Sequence, residues 1–139
     1  MGMDLLGTDF PYASNALQGK HALVCGASKG IGRATAMMMA KAGASVTVCA
    51  RNAASLSDLC DELSNLGEGE HASLVLDLED QAAIKSSIPV LLSERGAVHI
   101  LVNNAAGPPG GPLLGNTLND FDAPFRRHLH AAHTLTQLI

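Results

Sequence analysis

Seven residues, Gly26-Ala27-Ser28-Lys29-Gly30-Ile31-Gly32, stand directly after the apolar run His21–Cys25 and open a helical stretch. Their types and spacing suit the cradling of an anion. Gly26 allows a tight turn, Gly30 lets backbone approach a pyrophosphate, and Gly32 lets helix and strand pack closely. The helix N-terminus then points unpaired N–H groups at phosphate oxygens. The spacing is Gly-x3-Gly-x-Gly rather than the general Gly-x-Gly-x-x-Gly, so its place between a strand and a helix carries the weight. A dinucleotide reader sets an acidic residue about 20 residues further on, against the ribose 2′-hydroxyl. Here Ala50 and Arg51 follow Gly32 by 18 and 19 residues, and neither is a carboxylate. A guanidinium matches a 2′-phosphate by bidentate, charge-assisted bonds, and Lys29 adds a second positive charge. The expected cofactor is NADP(H) rather than NAD(H). The plainer reading of Arg51 is a solvated residue at a helix start.

Two further clusters lie at strand ends. Asp77-Leu78 follows the third apolar run, where Asp77 alone would read as a helix N-cap. Asn103-Asn104 follows the fourth, where the amides alone would cap strand ends. Their order behind a glycine turn favours a shared site.

In those residues the chain resembles the short-chain dehydrogenase/reductase family. The resemblance rests on Cys25 through Gly32, on Leu76-Asp77-Leu78, and on Leu101-Val102-Asn103-Asn104-Ala105-Ala106-Gly107, and it spans roughly residues 18–139. It implies that Gly26, Ser28, Lys29 and Ile31 line a pyrophosphate, with Ala27, Gly30 and Gly32 completing the turn. Arg51 and Asn52 would hold the adenosine-side phosphate, Asp77 and Leu78 would bracket adenine, and Asn104, Ala105 and Ala106 would touch the ribose. The implied activity is hydride transfer between a nicotinamide and a carbonyl/hydroxyl pair or activated double bond, on a small-molecule carbonyl, alcohol or enoyl substrate. A homo-oligomer through the C-terminal helix is implied too. Cys25 replaces the family's usual Thr, and His128 stands where the family has a helper Asn.

The family's acid–base pair, Tyr-x-x-x-Lys with an upstream Ser, has no counterpart here. The one tyrosine, Tyr12, precedes the glycine motif. No catalytic residue is assigned. His128, His130 and His133 share one helical stretch with no Asp, Glu or Cys near enough to complete a metal site, so no metal is expected. His21, His71 and His99 read as structural, and Met37-Met38-Met39 as helix filling. Neither a Gly-x-Ser-x-Gly elbow nor a catalytic carboxylate pair stands out.

The elements that must position these residues follow from composition and periodicity. The chain has 139 residues, enough for one domain, with 47% apolar and 16% charged side chains and the means to bury a core. Thirteen acidic against nine basic side chains give a net charge of −4. Without a Lys/Arg cluster or aromatic platform, nucleic-acid binding is excluded. No apolar stretch reaches a membrane span, and the N-terminus lacks the pattern of a signal peptide or myristoylation site. Three cysteines, none in Cys-x-x-Cys spacing, suit reduced thiols in the cytoplasm. Apolar runs at His21–Cys25, Ser45–Ala50, Ala72–Leu76 and Val98–Val102 predict strands covered on both faces. Helices are predicted over Ile31–Ala42, Ala53–Leu66 and Glu79–Arg95, the first two ended by Gly43 and Gly67. Ser55–Asp58 reads as a start signal in the second, and Pro89 should kink or split the third near Ser87–Ile88. A fourth helical region runs from Thr117 to Ile139, with Pro124 resetting its start. Gly107–Gly115 is too rich in Gly and Pro for regular structure.

This alternation predicts an α/β, Rossmann-like, doubly wound parallel sheet of order 3-2-1-4, truncated after the helix that follows strand four. Residues 1–19 read as a tail and approach loop, and 20–139 as an incomplete NADP(H)-binding domain. Strand four is an apolar edge, and Leu129, Leu135, Leu138 and Ile139 await a partner surface. Two other readings stand beside the oxidoreductase: a non-catalytic NADP(H)-binding module, either a sensor or a partner subunit completed in trans, and an inactive truncated product.

Overall fold

The computed structural model describes residues 12–107 and 110–139. Most of the N-terminal tail, and residues 108 and 109 of the Gly/Pro-rich stretch, lie outside them. The chain runs β1 (His21–Cys25), α1 (Gly30–Lys41), β2 (Ser45–Ala50), α2 (Ala53–Ser64), β3 (Ala72–Val75), α3 (Gln81–Arg95) and β4 (Ile100–Val102). A 3-10 turn at Leu113–Gly115 leads into α4 (Leu118–Pro124), a π-helical segment (Phe125–His130) and α5 (Ala131–Leu138). The four strands are parallel in the order β3-β2-β1-β4, as the sequence predicts.

Alternate residues of the central strands feed two cores. Ala22 and Val24 of β1 and Val46 and Val48 of β2 meet Ala36 and Ala40 of α1 and Leu56, Leu59 and Leu63 of α2. Leu23, Cys25 and Cys49 point the other way, against Ile84, Ile88 and Leu91 of α3 and Ala131 and Leu135 of α5. Every residue of β1 is buried. In β3 the expectation of two covered faces fails, because it is an outer strand. Its burial alternates, and Val75 is 54% exposed.

Helix boundaries follow capping chemistry more than apolar periodicity. Asn52, not the Ser55 cluster, caps α2 by accepting the Ser55 N–H at 3.0 Å. Asp80, not Asp77, caps α3 by accepting the Ala83 N–H at 2.9 Å. The second helix stops at Ser64, so Gly67 lies beyond its end, whereas Gly43 follows the Ala42 cap of α1 with φ +91°. Pro89 does not split α3. Pro89 and Lys85, whose carbonyl loses its partner, are both exposed, so water can satisfy that carbonyl while Ile84, Ile88 and Leu91 hold the helix to the sheet. Pro124 is likewise not a start. It ends α4, which opens with a Thr117–Asp120 capping box, and the chain continues helically.

Candidate functional site

A cleft of about 800 Å³ opens along the C-terminal ends of the strands, the end where parallel α/β sheets place ligands. Its floor is the glycine turn. Gly26 has φ +61°, and a Cβ there would lie 2.6 Å from the Asn104 side chain. Gly32 is buried, and a Cβ on it would meet the Gly26 carbonyl oxygen at 2.3 Å. Asn104 Nδ2 locks this contact by donating to the carbonyls of Cys25 at 3.2 Å and Gly26 at 3.3 Å. Ala27 is fully buried, and its N–H donates to the Cys49 carbonyl at 3.1 Å. Ala27 and Gly32 therefore build the turn from behind and do not line the cleft.

The other residues singled out in sequence come together. Gly26, Ser28, Lys29, Gly30, Ile31, Arg51, Asn52, Asp77, Leu78, Asn104, Ala105 and Ala106 all line the cleft. At its head Lys29 stands at the N-cap of α1 without a side-chain cap, and the first turn of the helix holds no acidic residue. No acidic side chain of that first turn thus pairs with the leading N–H groups or with Lys29, which lines the cleft. Gly30, at φ +59°, leaves open space where a Cβ would stand, so an anion can approach the backbone. Arg51 sits exposed between β2 and the Asn52 cap. Asp77 accepts the Glu79 N–H at 3.0 Å and stays exposed.

Two features escaped the sequence. Arg127, in the π-helical segment, also lines the cleft. Its Nε donates to Glu79 Oε1, and its Nη1 stands 3.4 Å from the carbonyls of Ala106 and Gly107. It cross-braces the loops after β3 and β4, a link between residues 48 apart that no spacing rule reveals. His128 joins it: its Nε2 lies 3.1 Å from the Ala106 carbonyl, so it acts as an N–H donor there. Second, Leu135 is only 1% exposed and belongs to the α3–α5 core. It does not await a partner, and Leu138 packs on the same cluster. Leu129 and Ile139 stay exposed, as do Leu118, Phe121 and Phe125. Tyr12 lines a separate apolar groove against α1.

The sheet order and the glycine-floored cleft define a Rossmann-type nucleotide fold. The chain belongs to the short-chain dehydrogenase family, whose model matches residues 20–139. It is 37% identical over 126 residues to a D-erythrulose reductase of Gallus gallus, covering 88% of this chain and 48% of that protein. It is 35% identical over 124 residues to a 7alpha-hydroxysteroid dehydrogenase of Escherichia coli K12, again covering 88% and 48%. Among solved structures, a metagenomic short-chain oxidoreductase in complex with NADP superposes with a TM-score of 0.82 at 34% identity, covering 89% of this chain and 56% of that one. The chain thus spans about half the length of these relatives. Among the described residues, no helix is long and apolar enough to cross a membrane.

Proposed function

We propose that residues 20–139 form the NADP(H)-binding half of a short-chain oxidoreductase. The observation that carries the cofactor choice is Arg51 beside Ala50 in the lining of the cleft, with Lys29 lining the same cleft and no carboxylate at the end of β2. A 2′-phosphate meets a guanidinium there, whereas NAD(H) would find no carboxylate for its 2′-hydroxyl. The pyrophosphate takes the leading N–H groups of α1 beside Gly30. Asp77, Leu78 and Asn104 to Ala106 enclose the adenosine side. The bound nicotinamide supplies hydride transfer to a carbonyl or an activated double bond.

Within the 139 residues no Tyr-x-x-x-Lys is present, and Tyr12 lines the groove on α1 instead of the cleft. These residues bind and orient the cofactor; the proton relay is not theirs. The exposed stripe Leu118, Phe121, Phe125 and Leu129 supports a homo-oligomeric contact through this helical region, and three free cysteines suit a cytoplasmic setting.

Calorimetric titration of wild-type chain and Arg51→Ala with NADPH and NADH tests the cofactor reading. Loss of the guanidinium should weaken NADPH by ~1.5–3 kcal/mol, the range for bonds to charged groups, and leave NADH nearly unchanged. Equal losses for both cofactors would refute it.

A further inference from the structure

We propose that Cys25 and Cys49 form a redox-active dithiol whose oxidation by a peroxide to a disulfide deforms the glycine turn and closes the cleft to nucleotides. The nucleotide effect rests on the reading of the cleft given above; the disulfide itself does not.

Cys25 and Cys49 are register partners on β1 and β2, and both sit in the core beneath α3 and α5. Both side chains point to the same face of the sheet and pack in one cluster, and Cys49 also lines the cleft. Neighbouring strands lie ~4.8 Å apart, inside the ~4.4–6.8 Å Cα span that a disulfide accepts, but its Cβ atoms prefer ~3.8 Å. Closing the bond therefore draws the strand ends together. Those ends anchor the site: the Cys49 carbonyl accepts the Ala27 N–H, and the Cys25 carbonyl accepts Asn104 Nδ2. A shift at either sulfur moves the turn or its clamp. Cys60 is half-buried among the side chains on the opposite face of the sheet and cannot join the pair.

The chemistry balances with one hydrogen peroxide. The sulfur of Cys49, the one of the two residues that lines the cleft and itself only 1% exposed, loses its proton and attacks a peroxide oxygen. The O–O bond breaks, leaving a sulfenic acid and one water. The Cys25 sulfur then attacks the Cys49 sulfur, the S–O bond breaks, and the second water leaves with the Cys25 proton. Two thiols and one peroxide become one disulfide and two waters. The neighbouring Cys25 thiol first, and burial second, push the Cys49 thiol up and hold it protonated, so the reaction is slow, and a nucleotide covering Cys49 slows it further.

The test treats the reduced chain and its Cys60→Ser, Cys25→Ser and Cys49→Ala variants with hydrogen peroxide and maps the products by mass spectrometry. Amide exchange over residues 26–32 and NADPH titration are followed before oxidation, after it, and after dithiothreitol. A Cys25–Cys49 cross-link should form in wild type and Cys60→Ser and in neither pair variant, and NADPH should slow its formation. Exchange over 26–32 should accelerate, and NADPH binding should weaken by roughly tenfold or more, both reversed by dithiothreitol. Oxidation confined to Cys60, unbridged over-oxidation of Cys49, or a cross-link that changes neither exchange nor affinity would overturn the proposal. If the reduced chain binds no NADPH, the cofactor reading falls, and the cross-link with its exchange signature still decides the switch.

Discussion

Asn104 reaches back from the loop after β4 and donates its side-chain amide to the Gly26 carbonyl at 3.3 Å. The same amide nitrogen would lie 2.8 Å from a Cβ on Gly32, so turn, helix start and loop close around one point. Asn104 therefore has a structural task whatever its backbone offers a ligand. Replacing it with Ala removes a half-buried donor from two carbonyls and should cost ~1–3 kcal/mol in urea unfolding. Asn104→Asp should be worse, because its carboxylate would face two carbonyl oxygens. An unchanged midpoint for Asn104→Ala would show that the clamp contributes nothing.

Gly32 and Gly30 should respond differently to the same change. A Cβ at Gly32 meets the Gly26 carbonyl oxygen at 2.3 Å, backbone against backbone. Gly32→Ala should cost at least the ~1–3 kcal/mol of overpacking. Gly30→Ala meets no atom but must keep φ +59°, a strain of ~1–2 kcal/mol. The Gly30 variant should keep its fold and bind nucleotide more weakly, since the methyl stands where a ligand approaches. Denaturation and nucleotide titration, run side by side, separate the two effects.

Acid should destabilise the far end of the sheet. The His71 Nδ1 accepts the Val46 N–H at 3.2 Å, the His99 Nδ1 accepts the His21 N–H at 3.0 Å, and the His21 Nε2 pairs with the Thr47 hydroxyl at 2.8 Å. Burial first, and the Arg95 guanidinium second, hold the His21 and His71 imidazoles below their ordinary value of 6.5. The unfolded chain thus binds more protons below about pH 6.5, so their contribution is complete above that pH and is lost as pH falls. The urea midpoint should drop between pH 7.5 and pH 5, and His71→Asn should flatten part of that slope. A midpoint independent of pH across this window would contradict the assignment of neutral imidazoles.

Leu135 and Leu129 should separate folding from association. Leu135 is 1% exposed and Leu129 is 58% exposed on the same helical stretch. Leu135→Ala should lose ~2–5 kcal/mol, as buried leucines do. Leu129→Ser together with Phe121→Ser should leave stability nearly unchanged and raise the monomer fraction. Sedimentation velocity at several concentrations, paired with thermal unfolding, gives both readings. Loss of folding in the surface pair would show that the stripe is internal to the chain's own stability.

The sequence by itself determined the parallel sheet and the glycine-floored cleft at its strand ends. The runs His21–Cys25 and Ser45–Ala50 are continuous because these two strands are covered on both faces, and they match β1 and β2 residue for residue. The glycine turn was legible because backbone approach and left-handed φ leave their mark directly on residue type. Most residues assigned to the site do line the cleft, because strand ends fix where the following loops must lie. What only the tertiary structure decided depends on contacts between distant residues. Asn104 reaches Gly26 across 78 residues, and Arg127 reaches Glu79 across 48. Ala27 and Gly32 face the core although their neighbours face the cleft. Leu135 is buried and Leu129 exposed although both read as apolar in one helix, because the face of that helix against α3 is set by packing and no local pattern encodes it.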